Sequence, residues 1–337
     1  DELPQAANLL FQQVQALGMP AWSAGYCTWE NNKKAITLSM SSEGVLQPSL
    51  RMPLTEDPSL IHFLEAHERG ETFFFLFLGG EELKSHYAYL RTLPGVKETL
   101  DDIEKAGFPV PTFQIFHLAY FSEGFLLFIT YEPVPEAHDI FKRFAAVFEQ
   151  TYTRFLDLQK AEAQAREAMI EAALERVRSR SMAMHSSYEL EQVIKVLTDQ
   201  LLLLGFHFHT ANFITNESMP DWEIWISSPG LKMPPKIHVP YIDHPLFNER
   251  NNDLLKGRDM ITAVLDKKEK NRFFRHMFTN TAASSTPEER KAWVLDQRGI
   301  AITTVLMKTI SLSVLNYDAI PYTAGENEVI KRMARVF

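Results

Sequence analysis

Apolar residues recur every three or four positions through NLLFQQVQALG (8–18) and EQVIKVLTDQLLLLG (191–205), which predicts an amphipathic helix in each stretch. Both stretches stop at a glycine suited to a left-handed cap. Apolar runs then predict strands: AWSAGYCTW and AITLSM after the first helix, HFHTANFI and DWEIWIS after the second. A further strand leads to Asp57-Pro58 or His244-Pro245, each a cap or near-cap residue with proline at the first helical position. Beyond that short helix come TFFFLFL or DMITAVL as another strand, and then a helical segment of variable length. The segment ends at Gly107 or Gly299, and in the second half it opens with Ser285-Thr286-Pro287-Glu288. Two long strands close each half, FQIFHLAYF with FLLFITY and AITTVLM with SLSVLNY. The order α-β-β-β-α-β-α-β-β-α predicts an α+β fold with a central, mostly antiparallel sheet flanked by helices. Runs such as TFFFLFL, apolar throughout, predict cover on both faces of that sheet.

The two halves also share residues. Glu2-Leu3-x-Gln5 returns as Glu189-Leu190-x-Gln192 and Leu17-Gly18 as Leu204-Gly205, each shifted by 187. Ser41-Ser42-Glu43-Gly44 returns as Ser227-Ser228-Pro229-Gly230, and Lys142-Arg143-x-Ala145-x-Val147-Phe148 as Lys331-Arg332-x-Ala334-x-Val336-Phe337. Matches in one order at a nearly constant offset predict two copies of a whole domain, since the period is far too long for a solenoid.

No Gly or Pro interrupts 136–184, and 156–180 is rich in strong helix formers. The stretch predicts a helix of roughly 70 Å if unbroken. Seven-residue spacing links Phe141, Phe148 and Phe155 and, one residue out of step, Leu156, Ala163, Ile170, Val177 and Met184, with Leu174 flanking the second series. Sustained sevens predict a parallel dimerisation seam with a local stutter; the alternative is one solvated helix between two domains. Ser186-x-x-Glu189 reads as a capping box that starts the next helix after a break at His185. The expected organisation is a first domain over 1–135, a linking helix over 136–185 and a second domain over 186–337, whose last helix is expected to run on past Phe337.

A net charge of −9 leaves no surplus cation for phosphate and argues against nucleic acid as a partner. The single cysteine, Cys27, excludes an internal disulfide and a Cys-only metal cage, and mid-strand in GYCTW it reads as an inert thiol. The longest uncharged run, FPVPTFQIFHLAYFS (108–122), carries prolines, Gln114 and His117 and reads as a buried strand rather than a membrane span. DELPQAANLL has no secretory pattern, so a cytoplasmic location is expected.

No phosphate-binding loop, dinucleotide turn, HExxH helix, GxSxG elbow or CxxC pair occurs, so the common hydrolase, nucleotide and redox mechanisms have no apparatus here. His207 and His209, two apart on a predicted strand, share a face and are candidate metal ligands with no third partner assignable; His62 and His67 do not share a helical face well. Aromatic residues crowd the first half and read mostly as core, with Phe74, Phe116, Tyr120 and Phe128 as candidate pocket residues.

The run AEAQAREAMIEAALERVRSRSMAMHSSYELEQVIKVLTDQLLLLGF (161–206), and Val177 to Met184 within it, resembles the signalling helix that enters a GAF domain in bacterial sensor histidine kinases. The chain as a whole resembles tandem GAF-type sensory domains of two-component signalling proteins. That resemblance implies a non-catalytic sensory module, a homodimer, a candidate small-molecule ligand of unknown identity, and an output domain beyond these residues. It also leaves room for a ligand-free dimerisation scaffold and, at a further remove, a cofactor-bearing photoreceptor or redox enzyme. The Asn-Lys-Phe-Asp-Glu constellation of cyclic-nucleotide-binding relatives is not recognisable, the cysteine of bilin-binding relatives has no counterpart, and a GAF-fold methionine sulfoxide reductase needs more than one cysteine. No phosphoacceptor helix or kinase domain is present in these residues.

Overall fold

Ala7, Leu10, Phe11 and Val14 occupy one stripe of helix α1 (Leu3–Ala16) and are buried, and the chain leaves that helix through Gly18 at φ 75°. The same construction recurs in α6 (Leu190–Leu203), where Leu190, Val193, Ile194, Leu197 and Leu201 are buried and Gly205 takes φ 77°. These helices belong to two compact units, Asp1–Lys160 and Ala161–Phe337, in a computed structural model of the chain. The structure describes residues 3–42, 44–105, 107, 111–186, 189–215, 217, 219–233 and 235–336. Glu2, Glu43, Phe108, Pro109 and Phe337, all used in the sequence reading, lie outside the described residues.

In the first unit α1 is followed by β1 (Ala21–Trp29), β2 (Ala35–Ser42), β3 (Val45–Leu46), β4 (Leu50–Pro53), α2 (Pro58–Glu68), β5 (Phe73–Gly79), α3 (Gly80–Leu90), α4 (Val96–Lys105), β6 (Phe113–Phe121) and β7 (Gly124–Thr130). Then α5 (His138–Met182) begins. The sheet runs β3-β2-β1-β7-β6-β5, with β4 also on β2, and its pairings are antiparallel. Its two faces hold separate cores: Ala24, Tyr26, Ala119 and Phe128 meet α1 and the start of α5, while Cys27, Phe116, Leu118 and Leu127 face α2, α3 and α4.

The second unit continues after α6 with β8 (Thr210–Thr215), β9 (Trp222–Ser227), β10 (Lys236–Val239), α7 (Pro245–Leu255), β11 (Met260–Asp266), α8 (Lys267–Asn280), α9 (Glu288–Asp296), β12 (Gly299–Leu306), β13 (Ile310–Asn316) and α10 (Ala324–Arg335). Its sheet order, β10-β9-β8-β13-β12-β11, repeats the first antiparallel arrangement. Both units are thus α+β, with an antiparallel sheet flanked by helices. The helical segment expected between β5 and β6, and between β11 and β12, is two helices in each unit, α3 with α4 and α8 with α9. Gly299 opens β12 instead of ending a helix.

The cap positions follow the repeat. Asp57 accepts from the amides of Ser59 and Leu60 at the start of α2, and His244 Nδ1 accepts from the amide of Leu246 at the start of α7. Two local expectations shift. Helix α6 begins at Leu190 behind Glu189, whose carboxylate receives the His185 amide and the Arg180 guanidinium, so Ser186 does not cap it. Strand β8 begins at Thr210, so His207 and His209 precede the strand.

The seven-residue series in α5 is occupied by the domains themselves. Phe141 is fully buried, stacked on Phe128 with centroids 4.1 Å apart, and Phe148 leans on Tyr26 and Phe121. Ile170, Leu174 and Val177 are buried in the second unit's core, beside half-buried Met184. These side chains are not free to knob into another helix, which corrects their assignment to a dimer seam. Phe155 and Leu156 are half-buried and Ala163 is exposed. Among the described residues no helix is long and apolar enough to cross a membrane.

Phe141→Ala and Leu174→Ala are each expected to cost about 3 to 5 kcal/mol of stability through the cavity left behind. Urea unfolding measures this, and a loss below about 1 kcal/mol at either site would show that the helix is not part of that core.

Candidate functional site

Strand geometry prepares a cavity on the α2–α3–α4 side of the first sheet. Register sets the side chains of that sheet face in rows across the strands: Ser42, Ser23, Ile129 and Phe116; then Met40, Gly25, Leu127 and Leu118; then Leu38, Cys27, Phe125 and Tyr120. At Gly25 the neighbouring strand comes so close that a Cβ would lie 2.1 Å from the Ser39 carbonyl oxygen, so no side chain rises from the sheet at that one position between Met40 and Leu127. Leu60 and Phe63 of α2, His86, Tyr87 and Leu90 of α3 and Leu100 of α4 roof the space, a cavity of about 110 Å³.

Most of the wall is apolar, and several of its polar groups lie toward one end. The pairing of β1 with β7 slips between Ala21 and Ser23, and this irregularity brings Trp22 as well as Ser23 onto the cavity wall. Trp22 stacks on Tyr131 with its indole Nε1–H buried and without an acceptor. Ser23 and Ser42 hydroxyls lie 3.0 Å apart, and the Tyr87 hydroxyl donates to Gln114 Oε1 at 2.9 Å. Burial pushes the Tyr87 phenol well above its ordinary value.

His86, 3 % exposed, is held through Nδ1 by Asp57 at 3.2 Å. Burial works to raise the Asp57 carboxyl, but the bond and charge of His86 and the two helix amides outweigh it and hold it below the usual value. One aspartate therefore caps α2 and ties α3 to it, which sets the roof of the cavity.

The corresponding space in the second unit is about 50 Å³. Its middle row reads Ile226, Asn212, Ser313 and Thr304 where the first has Met40, Gly25, Leu127 and Leu118. The Arg250 guanidinium enters it, donating to Ser311 Oγ at 3.1 Å and to the Ile214 carbonyl at 3.4 Å, above the Trp222 ring. Burial lowers Arg250 to about 10. Trp222, which also lines this space, stacks on Phe247 with centroids 3.8 Å apart.

Of the candidate pocket residues, Phe116 lines the first cavity, and Phe74 and Tyr120 share its face within the same core. Phe128 is a correction: strand alternation sends Leu127 and Ile129 to the cavity and turns Phe128 onto α5. Trp22, Gln114 and the Asp57–His86 pair escaped the sequence reading. The inward serines at 23 and 42 were a visible signal, but their pairing needs the register.

His207 and His209 do acquire a neighbour: Asp318 Oδ2 sits 2.5 Å from His207 Nε2, and the three donor atoms lie within 4.8 Å of one another. However, His209 Nδ1 accepts from the Tyr317 amide at 3.2 Å, so neutral His209 carries its proton on Nε2 and offers no lone pair there. The side chains of Arg290 and Arg298 add positive charge beside the trio. The arrangement suits a hydrogen-bonded surface cluster better than a cation.

No protein-family profile and no curated protein matches the chain. Among solved structures, it is similar to the N-acylhomoserine lactone dependent LuxR family transcription factor CepR2 from Burkholderia cenocepacia, at 10% identity over 50% of this chain and 92% of that one, with a TM-score of 0.25. It is also similar to bacteriophytochrome RpBphP3 from the photosynthetic bacterium R. palustris, at 11% identity and a TM-score of 0.33, over 93% of this chain. The match spans 60% of the phytochrome chain. At these TM-scores neither likeness carries an argument about function.

On the opposite sheet face His117, 1 % exposed, is pushed down to about 4, first by burial and then by the neighbouring His138. Its Nε2 meets Thr130 Oγ1 at 2.9 Å and its Nδ1 has no partner. Because the folded value lies below the ordinary 6.5, the unfolded chain binds more protons between those values. Stability is therefore expected to fall by about 3 kcal/mol as pH drops from 6.5 to 4. Denaturation across that range measures the slope; His117→Gln is expected to flatten it, and an unchanged slope would remove His117 as its cause.

Proposed function

We propose that the chain is a non-catalytic, cytoplasmic sensory module whose first domain takes up a small, mostly apolar molecule in the cavity between its sheet and α2, α3 and α4. The observation that carries this reading is the contrast between two copies of one architecture. The first keeps about 110 Å³ open, beside a buried indole N–H without an acceptor. The second has about 50 Å³, with an arginine and an aromatic stack in the same place. A void costs packing free energy unless something fills it, so retaining the larger, uncharged one in the first copy fits a binding role there.

The second domain then serves as a relay. Helix α5 supports this part of the reading, since Phe141 and Ala145 belong to the first core and Ile170, Ala173, Leu174 and Val177 to the second. A ligand that changes how the first core grips α5 biases the helix the second core is built on. In this reading the chain works as a homodimer and passes the bias to an output domain outside these residues. The exposed part of α5, from 157 to 169, is the surface left for pairing.

Leu127→Phe tests the proposal, because it fills the cavity with an apolar side chain and leaves the fold's polar contacts intact. Native mass spectrometry of chain expressed in its source organism is expected to find a bound small molecule on the wild type and none on the variant, with unfolding temperatures alike. A clean unliganded mass for the wild type, together with no thermal shift across a panel of uncharged metabolites, would contradict ligand binding and favour a ligand-free dimerisation scaffold.

A further inference from the structure

The cavity wall specifies the chemistry of its occupant, an inference that rests on the cavity being a ligand site. Among the described lining residues there is no lysine, arginine, aspartate or glutamate. The imidazole of His86, which also lines the cavity, already has the Asp57 carboxylate as its partner. An ionised ligand would lose its hydration there with no unpaired opposite charge to replace it, so carboxylates, phosphates and amines are poorly matched.

The hydrogen-bonding groups are not spread evenly. Gln114 is 1 % exposed, and its one hydrogen bond takes up Oε1, with Tyr87 as the donor. That leaves its carboxamide N–H₂ without an acceptor among the described residues. Trp22, 7 % exposed, contributes a second donor, its indole Nε1–H fully buried and without an acceptor. The two stand at one end of the sheet on β6 and β1, flanking the Ile129–Thr130 end of β7: Ala21 pairs with Thr130, which pairs in turn with Ile115. Strand spacing puts their backbones about 10 Å apart, within reach of two long side chains converging on one atom. Away from that end the wall is mostly aliphatic and aromatic, from Met40 and Leu127 to Phe63 and Leu60, and its polar members Gln47 and Thr99 donate to the Val45 and Gly95 carbonyls.

We infer that the first domain selects an uncharged molecule with an apolar body and a carbonyl oxygen, the oxygen accepting hydrogen bonds from Gln114 Nε2 and Trp22 Nε1. A carbonyl oxygen has two lone pairs and no proton to give, which matches two donors. Gln114 and Trp22 are then the specificity residues, and Tyr87 positions Gln114 by fixing its carboxamide.

Three probes of one ring size test this on the full chain: cyclohexanone, cyclohexane and cyclohexanecarboxylate, followed in ¹H–¹⁵N spectra, with Trp22→Phe identifying the Trp22 indole resonance. The expected result is that cyclohexanone moves that resonance and binds about tenfold more tightly than cyclohexane, while the carboxylate produces no shift. In Trp22→Phe the ketone preference is expected to shrink and cyclohexane binding to persist. Equal binding of ketone and hydrocarbon by the wild type, or preference for the carboxylate, would overturn the carbonyl assignment and leave the cavity as a ligand site. If no probe perturbs any cavity resonance, the ligand site itself falls and this inference with it. The wild-type comparison decides the matter even if the variant does not fold.

Discussion

A strand gives each side chain to one of two faces, and in both sheets of this protein both faces are buried. Everything else in each domain follows from that division. In the first domain one set of alternating residues packs on α1 and α5, and the other set meets α2, α3 and α4. A one-residue change of register would exchange the two cores, so the antiparallel pairing must be held tightly. The local slip at Trp22 is tolerated because it lies at the start of β1, where it adds a polar group to the cavity wall without disturbing the rows beyond.

Within this shared constraint the two domains spend their interior differently. Asp57 and His244 hold equivalent cap positions, yet Asp57 also reaches His86 of α3, while His244 Nε2 meets the Glu269 carbonyl of α8 at 3.0 Å. Both tie the first roof helix to the second. Gly25 and Leu127 leave room over the first sheet, where Asn212 and Ser313 meet the space that Arg250 enters in the second. Polar residues replacing apolar ones in the middle row accompany a buried guanidinium, which needs hydrogen bonds to be tolerated. The architecture is thus common to both copies, and the larger, more apolar space belongs to the first.

Much of this was legible in the chain. Strands such as AWSAGYCTW announced themselves by composition, and the duplication exposed equivalent positions that one copy alone would have hidden. The paired caps at Asp57 and His244 were readable because helix starts have local chemistry. What could not be read was anything dependent on register. Phe128 looked like its neighbours as a pocket residue, and only the pairing of β7 with β1 and β6 turns it to α5. Heptad spacing in α5 arose for a related reason: a helix lying along a domain's core buries residues at the same intervals as one lying along a second helix, so Phe141, Ile170 and Val177 mimic a seam. Trp22 owes its place to a register slip that no pattern of residues announces.

The central claim is that one domain keeps an apolar space which its twin has narrowed and lined with a guanidinium. Diffraction from crystals under xenon pressure tests it directly, because xenon enters dry apolar cavities regardless of ligand chemistry. The account predicts xenon density between Phe63 and Leu127 in the first domain and none between Trp222 and Arg250 in the second. Density in both domains, or in neither, would contradict it.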